Sequence, residues 1–235
     1  MPKPMCNVLI TGANGNLGRS VAERLHKDGF KMAASVEPGS EVPDDWEGLS
    51  IKPYEVDLMS ASSASDFVTN AIKGMDGRIE AGILLVGGYS VDSVSSADVS
   101  EMQKMFRLNF LTAYNVLRPL MEHFESSLLG GRFILVGART ALDASAASHN
   151  FSYALSKSLI FRLAEIVNAY GKGKNITASV LVPSILDTPV NRVSSPKADY
   201  DRWVPTTAVA DAVAYLLSES GGVLRETVFK LYNNV

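Results

Sequence analysis

The sequence has one cysteine, no block of basic residues and no apolar run near the ~20 residues that cross a membrane. A single thiol, Cys6, excludes an internal disulfide bond and a metal site of clustered cysteines. The net charge of −3 argues against nucleic acid or an anionic membrane as the main partner. The amino terminus carries no signal-peptide core, so a cytoplasmic protein is expected.

What remains is the composition of a soluble globular protein, with 46% apolar and 20% charged residues in a chain of 235. This length is enough for one α/β domain with a sizeable core. His26, His123 and His149 lack the spacing of metal ligands, so packing or surface roles and no metal are predicted. The sequence has no internal repeat and no domain boundary, so 1–235 is expected to form a single domain.

Short apolar strands alternate with helical patterns along the whole chain. The predicted strands are 8–10, 31–36, 51–56, 81–86, 131–136, 176–182 and 227–231. The predicted helices are 17–27, 62–73, 100–122, 151–170 and a last helix to residue 217, capped by Thr206 or Thr207. This order predicts an α/β fold, a Rossmann-type doubly wound parallel sheet of about seven strands with helices on both faces.

A glycine-rich turn joins the first strand to the first helix, with the sequence Thr-Gly-Ala-Asn-Gly-Asn-Leu-Gly over 11–18. Glycines let the backbone approach a pyrophosphate, and the helix amino terminus offers free N–H groups and a positive dipole end. The turn therefore predicts a dinucleotide site, although many tight turns look alike. The predicted contacts are Gly12, Asn14, Gly15, Asn16, Leu17 and Gly18.

Glu37 ends the second strand, 19 residues after Gly18, where an acid that binds the ribose hydroxyls of NAD is expected. A carboxylate there repels the extra phosphate of NADP, and no Lys or Arg follows in 38–40. NAD(H) is therefore preferred in this interpretation, with NADP(H) as the alternative; a solvated Glu at a strand end is the structural alternative.

The ends of the next two strands add further candidates for the cofactor site. Asp57 and Leu58 directly follow the third strand, where the carboxylate is placed to cap the adenine end. Gly87 and Gly88 follow the fourth strand, where the absence of side chains lets a cofactor pack closely.

Tyr153 and Lys157 lie four residues apart, and therefore one turn apart on the same face of the predicted helix. A free phenol titrates near ~10, and a nearby ammonium favours its ionised form. The pair thus predicts a Tyr whose pKa is lowered toward neutral pH and which exchanges a proton with a substrate. Asn109, an amide among apolar neighbours, needs buried partners.

Four features occur in the order typical of the short-chain dehydrogenase/reductase family, which the sequence resembles over nearly its full length. They are the glycine-rich turn, Asn109 in the fourth helix, Thr140 at the family's Ser position, and the pair Tyr153 and Lys157. The resemblance implies hydride transfer from NAD(P)H, with Tyr153 supplying the proton and Lys157 holding the nicotinamide ribose.

The same resemblance implies roles for four further residues. Thr140 would bond the reacting oxygen, and Asn109 would hold a water that links Lys157 to solvent. Pro183, in the position of the family's Pro-Gly, and Thr188 would contact the cofactor. The segment 190–205, within a lid at about 184–205, would close over the substrate, with Tyr200 and Trp203 either stacking on it or packing against the domain.

Departures from the common family pattern narrow the resemblance. Gly87-Gly88 followed by an aromatic, and the stretches 137–143, 186–192 and 196–203, resemble the dihydropteridine reductases. Those enzymes reduce quinonoid dihydropterin with NADH, but they lack the hydroxyl that Thr140 provides. A carbonyl reductase of unknown substrate is therefore the alternative, and a dinucleotide-sensing regulator is the non-enzymatic one. The apolar helices 100–122 and 151–170 predict a homodimer or homotetramer.

Overall fold

The computed structural model describes residues 7–127 and 129–233. Cys6 and the amino-terminal segment lie outside the described residues, and the predictions made for them stay predictions. Seven parallel strands form one central sheet, in the order β3-β2-β1-β4-β5-β6-β9. These strands are β1 Asn7–Thr11, β2 Lys31–Val36, β3 Ile51–Glu55, β4 Ala81–Leu84, β5 Gly131–Val136, β6 Ile176–Pro183 and β9 Val228–Leu231. A short parallel pair joins β7 Leu186–Asp187 to β8 Val204–Pro205.

The helices cover both faces of this sheet, which confirms the predicted fold class. They are α1 Asn16–Lys27, α2 Ala61–Gly74, α3 Val99–Phe106, α4 Thr112–Ser126, α5 Phe151–Gly171, α6 Pro189–Ser194 and α7 Thr206–Leu217. Neighbouring residues of β1 point to opposite faces, as the period of a strand requires. Leu9 belongs to the apolar cluster under α2, α4 and α5, whereas Val8 and Ile10 belong to the cluster under α1 and α7.

Two predictions about helices need correction. The stretch 100–122 is not one regular helix, because Arg107–Leu111 forms a π-helical turn between α3 and α4. Asn109 sits in that turn, a local irregularity that is frequent at functional sites. Neither Thr206 nor Thr207 caps α7; Pro205 occupies the cap position, and the Thr206 hydroxyl shares a 2.7 Å hydrogen bond with Ser20 of α1.

The stretch 184–205, the predicted lid, contains regular secondary structure. It contains β7, α6, a 3-10 turn at Tyr200–Arg202 and β8. The Arg192 guanidinium donates hydrogen bonds of 2.6 and 2.8 Å to the two carboxylate oxygens of Asp187, which ties α6 to β7. Within 7–127 and 129–233, no helix has the length and apolar character to cross a membrane.

Candidate active site

The glycine-rich turn leaves the amino terminus of α1 open to a ligand. The Gly15 N–H donates to the Gly12 carbonyl at 3.1 Å, and Gly12 has a φ of +68°, which favours glycine. A Cβ on Gly18 would overlap the Gly12 carbonyl oxygen and the Ala13 backbone, so only glycine lets helix and strand pack this closely. In the described chain no side chain caps this end of α1, and its N–H groups suit an anion.

A cavity of about 410 Å³ opens beside this turn, at the carboxyl ends of the central strands. It brings together five of the residues predicted to bind a cofactor, namely Gly12, Asn14, Glu37, Asp57 and Leu58. Of the described residues that line it, none is a lysine or an arginine. The cavity therefore fits the adenosine half of a dinucleotide, and the charged groups among its described lining residues are the carboxylates of Glu37 and Asp57.

Sequence reasoning missed the remaining lining residues, which are Ser35, Val36, Pro38, Val56, Met59, Val86, Leu108 and Thr112. The strand-end residues among them were accessible to prediction, because every parallel strand ends at this edge. Leu108 and Thr112 were not, since they come from the π-helical turn and the start of α4. The π-helical turn places Leu108 and Thr112 in the lining of the cavity.

The other predicted cofactor residues lie outside the lining of this cavity. They are Gly15, Asn16, Leu17, Gly18, Gly87, Gly88, Tyr153, Lys157, Pro183 and Thr188. Pro183 ends β6, and the Thr188 hydroxyl accepts a 3.3 Å hydrogen bond from the Asn191 N–H at the start of α6. A Cβ on Gly87 would lie 2.6 Å from Asn109 Oδ1 and 3.0 Å from Lys157 Nζ, so this glycine sits against the catalytic candidates.

Tyr153 and Lys157 occupy successive turns of α5, as predicted, but their electrostatics differ from the prediction. The buried Lys157 ammonium donates a 2.9 Å hydrogen bond to the Val136 carbonyl, and burial lowers its pKa to about 8. Burial and then the neighbouring Tyr89 raise the pKa of Tyr153 to about 12. The expected lowering of the Tyr153 pKa was therefore wrong for this state, and the phenol keeps its proton at neutral pH.

Asn109 is a fully bonded amide at the junction of three segments. Its Oδ1 accepts a 2.8 Å hydrogen bond from the Gly88 N–H, and its Nδ2 donates at 2.9 Å to the Ser156 hydroxyl. Ser156 in turn donates at 2.7 Å to the Tyr153 carbonyl. The side chain thus joins the loop after β4 to α5, and Ser156 is a supporting residue that sequence reasoning missed.

Thr140 presents a hydroxyl that lacks a partner. It lies in a 3-10 turn, Arg139–Ala141, that follows β5 and packs against α5. Its Oγ1 is buried and has no hydrogen-bond partner among the described residues. A buried hydroxyl without a protein partner has its hydrogen-bonding capacity available for a ligand or a water molecule.

Comparison with known proteins places this chain in a family. The sequence profile described as short chain dehydrogenase matches residues 6–199, which is more than half of the chain. The chain belongs to the short-chain dehydrogenase family. It is thus an oxidoreductase of that family, whose members use NAD(P)H, and its glycine cradle and cavity fit such a dinucleotide.

Two curated relatives of this dehydrogenase carry different activities in their names. The 3-oxoacyl-[acyl-carrier-protein] reductase MabA of Mycobacterium tuberculosis is 25% identical over 231 residues, covering 94% of this chain and 89% of the relative. A dihydropteridine reductase of Dictyostelium discoideum is 25% identical over 210 residues, covering 87% and 84%. The solved structure of ElxO with NADP bound matches with a TM-score of 0.84 at 18% identity, covering 97% of both chains.

These matches leave the preference for NAD unsupported, since an NADP-bound structure is among the neighbours.

The dehydrogenase also keeps Trp203 buried, with 4% of its surface exposed, and packs it against Tyr200 at 4.9 Å between ring centroids. For Trp203 the packing interpretation therefore fits better than substrate stacking.

Two of the three histidines make contacts with the backbone of other segments. His26 accepts a hydrogen bond from the Ser50 N–H, and His123 contacts the Ile79 backbone. Among the described residues, no three His, Cys, Asp or Glu cluster as metal ligands.

Proposed function

We propose that this chain reduces a quinonoid dihydropterin or a similar compound with NAD(P)H, and that Tyr153 supplies the proton. The observation that carries this proposal is the half-buried phenol of Tyr153 on a helix that also holds Lys157. The turn with the unpartnered Thr140 hydroxyl packs against the same helix. A proton donor and a hydrogen-bond donor on two segments that pack together suit the reduction of a C=O or C=N group.

The cofactor would lie along the carboxyl edge of the sheet. Its pyrophosphate would meet the glycine-rich turn and α1, and its adenosine would fill the cavity beside Glu37. When bound, the nicotinamide supplies the hydride. Lys157 would hold the nicotinamide ribose, while Asn109 and Ser156 keep the catalytic helix in register with Gly88. We favour NADH because Glu37 would repel the extra phosphate of NADPH.

The pterin assignment draws on Tyr89, the aromatic residue after Gly87-Gly88. Its ring meets Tyr153 edge-on, with centroids 5.0 Å apart, and 62% of its surface is exposed. An open aromatic face beside the proton donor suits a flat heterocycle. The dihydropteridine reductase of D. discoideum, similar over most of this chain, points the same way.

A carbonyl reductase of another substrate is the second candidate function. The Thr140 hydroxyl and Asn109 favour it, since both resemble the main branch of the family, and MabA is a relative of that kind. A dinucleotide-sensing regulator is a weaker candidate, because such proteins tend to lose the Tyr and Lys that this chain keeps.

We further propose that 1–235 acts as a single domain in the cytoplasm, with 184–205 as the substrate lid.

Self-association is part of the proposal. Large apolar side chains are exposed along α3, α4 and α5; they are Phe106, Tyr114, Leu155, Leu159, Ile166 and Tyr170. Exposed apolar side chains that together form a large patch mark an interaction site in soluble proteins. A second copy of the chain is the occupant we propose, giving a homodimer or homotetramer.

The deciding experiment follows the oxidation of NADH and NADPH with quinonoid dihydrobiopterin and with a panel of ketones. Tyr153→Phe should lower kcat about 10²–10⁴-fold and leave NADH binding unchanged. Tyr215→Phe, on the exposed side of α7 and outside the proposed interface, is the matched control and should behave like the wild type. Turnover of ketones alone would replace the pterin assignment by the carbonyl reductase. Undiminished turnover in Tyr153→Phe would remove Tyr153 from the role of proton donor.

A further inference from the structure

The catalytic helix α5 is capped by a residue from another part of the chain. Asn150 occupies its cap position but makes no side-chain cap bond. Instead the Ser152 N–H donates at 3.0 Å to Asp92 Oδ1, and the Phe151 N–H donates at 3.4 Å to the Asp92 carbonyl. Asp92, 60 residues away in the loop after β4, thus satisfies two N–H groups that a helix start leaves open.

The same loop carries the aromatic neighbour of Tyr153. Tyr89 lies three positions before Asp92 and meets Tyr153 edge-on. The Asp92 N–H also donates at 3.2 Å to the His149 carbonyl, and Asp92 forms an isolated parallel bridge with Asn150. Asp92 therefore clamps the loop with Tyr89 to the helix with Tyr153 through both its backbone and its carboxylate.

This junction is rich in buried polar atoms. Four buried oxygen atoms at or next to it have no hydrogen-bond partner among the described residues; they are Ser90 Oγ, Asp92 Oδ2, Asn150 Oδ1 and Ser152 Oγ. Buried polar atoms in native proteins are nearly always bonded, and exceptions call for an explanation. The observed bonds of Asp92 to the start of α5 are the geometric basis for a positioning role.

We propose that Asp92 is a positioning residue for the reaction, which fixes Tyr153 against Tyr89 by capping α5. The inference rests on the proposed function of Tyr153 as proton donor. Tyr153 is the third residue of α5 and lies in the capped turn, whereas Lys157 lies one turn further along. Loss of the cap frays the first turn, so it displaces the phenol and leaves the Lys157 end of the helix in place.

Kinetics of three Asp92 variants test this role. Asp92→Ala should lower kcat about 10-fold to 100-fold with an unchanged KM for the nicotinamide cofactor, because small displacements of a reacting group are costly. Asp92→Asn should restore most of kcat, since an amide oxygen also accepts the cap bond. Asp92→Glu keeps the charge but lengthens the side chain, so its kcat should be lower than that of Asp92→Asn.

Asp98→Ala is the matched control, because Asp98 caps α3 through a 2.6 Å bond from the Ser100 N–H. It removes a helix cap from a neighbouring stretch and should keep the kcat of the wild type. An unchanged kcat in Asp92→Ala, or an equal loss in Asp98→Ala, would overturn the proposal. If Asp92→Ala does not fold, a higher kcat in Asp92→Glu than in Asp92→Asn would overturn the proposal.

A second readout needs no substrate and separates this proposal from the proposed function. In protein labelled with [¹³Cζ]tyrosine, the resonance of Tyr153 is assigned by its loss in Tyr153→Phe. Asp92→Ala should shift the resonances of Tyr153 and Tyr89, while Asp98→Ala should shift neither. An unmoved Tyr153 resonance in Asp92→Ala would refute the positioning role even if a substrate were never found.

Discussion

The Lys157 ammonium donates a 2.9 Å hydrogen bond to the Val136 carbonyl at the carboxyl end of β5, inside the protein. The side chain is 5% exposed, and burial lowers its pKa from the ordinary 10.5 to about 8. The charged form of Lys157 is therefore buried in an environment whose desolvation disfavours it. A cofactor ribose that bonds this ammonium would compensate part of that cost.

The first prediction concerns stability against pH. Because the pKa of Lys157 is lower in the folded state, the unfolded chain binds more protons between about pH 8 and 10.5. The contribution of Lys157 to the free energy of unfolding therefore rises with pH across that window, by up to about 3 kcal/mol, and is constant below it. Lys157→Met should remove this rise.

Urea unfolding from pH 7 to pH 10 measures the difference between the wild type and Lys157→Met. Lys172→Met, which replaces an exposed lysine just beyond α5, should run parallel to the wild type. Tyr153 contributes in the opposite direction, since its raised pKa removes stability only above about pH 10. A difference between wild type and Lys157→Met that stays flat up to pH 10 would contradict burial of the cation.

The second prediction separates the two roles of a hydroxyl at Thr140. Thr140→Val removes the unpartnered Oγ1 and keeps the shape, so stability should be unchanged or rise by about 1 kcal/mol. The kcat/KM should fall about 10-fold to 100-fold if the hydroxyl bonds the reacting oxygen. Thr140→Ser keeps the hydroxyl and should retain most activity. Equal losses of activity in both variants would point to packing rather than to the hydroxyl.

The third prediction tests the choice of cofactor. Glu37 lines the cavity that fits adenosine, with no lysine or arginine among the described lining residues. Glu37→Gln removes a negative charge at the expected site of the extra phosphate, so the ratio of kcat/KM for NADPH to that for NADH should rise about 10-fold. Glu41→Gln, in the exposed loop nearby, should leave the ratio unchanged. A wild type that already prefers NADPH would show that the interpretation of Glu37 is wrong.

Local patterns predicted most of the fold. The bounds of the seven sheet strands differ from the predicted ones by at most two residues, because short apolar runs between helices leave little ambiguity. The glycine-rich turn was equally readable, since the positive φ of Gly12 favours glycine and a Cβ on Gly18 would overlap the Gly12 carbonyl oxygen. The four-residue spacing of Tyr153 and Lys157 likewise needs only helical geometry.

Features that arise from contacts between distant segments could not be predicted from local sequence patterns. The direction of the Tyr153 pKa depends on burial and on Tyr89, which comes from a loop 64 positions earlier. The order within 184–205 depends on the pairing of β7 with β8 and on the buried Trp203. The cap by Asp92 has no signature at all, because an Asp in a polar loop is usually solvated.

The last prediction concerns the apolar surface of α3, α4 and α5. Phe106, Phe110 and Tyr114 stack in series, with ring centroids 5.3 and 6.1 Å apart, and Ile166 of α5 is 55% exposed. If a second copy covers this surface, Ile166→Glu places a charge in an apolar interface and should lower the mass of the assembly. Light scattering at micromolar concentration measures that mass directly.

Val223→Glu is the control, because Val223 is 79% exposed on a 3-10 turn at 220–223, beyond α7. It adds the same charge to the surface and should keep the mass of the wild type. A fall in mass confined to Ile166→Glu would locate the interface on α5, since both variants carry the same net charge. A wild type that scatters as a monomer would rule out self-association through this surface, and the exposed apolar residues would then need a different partner.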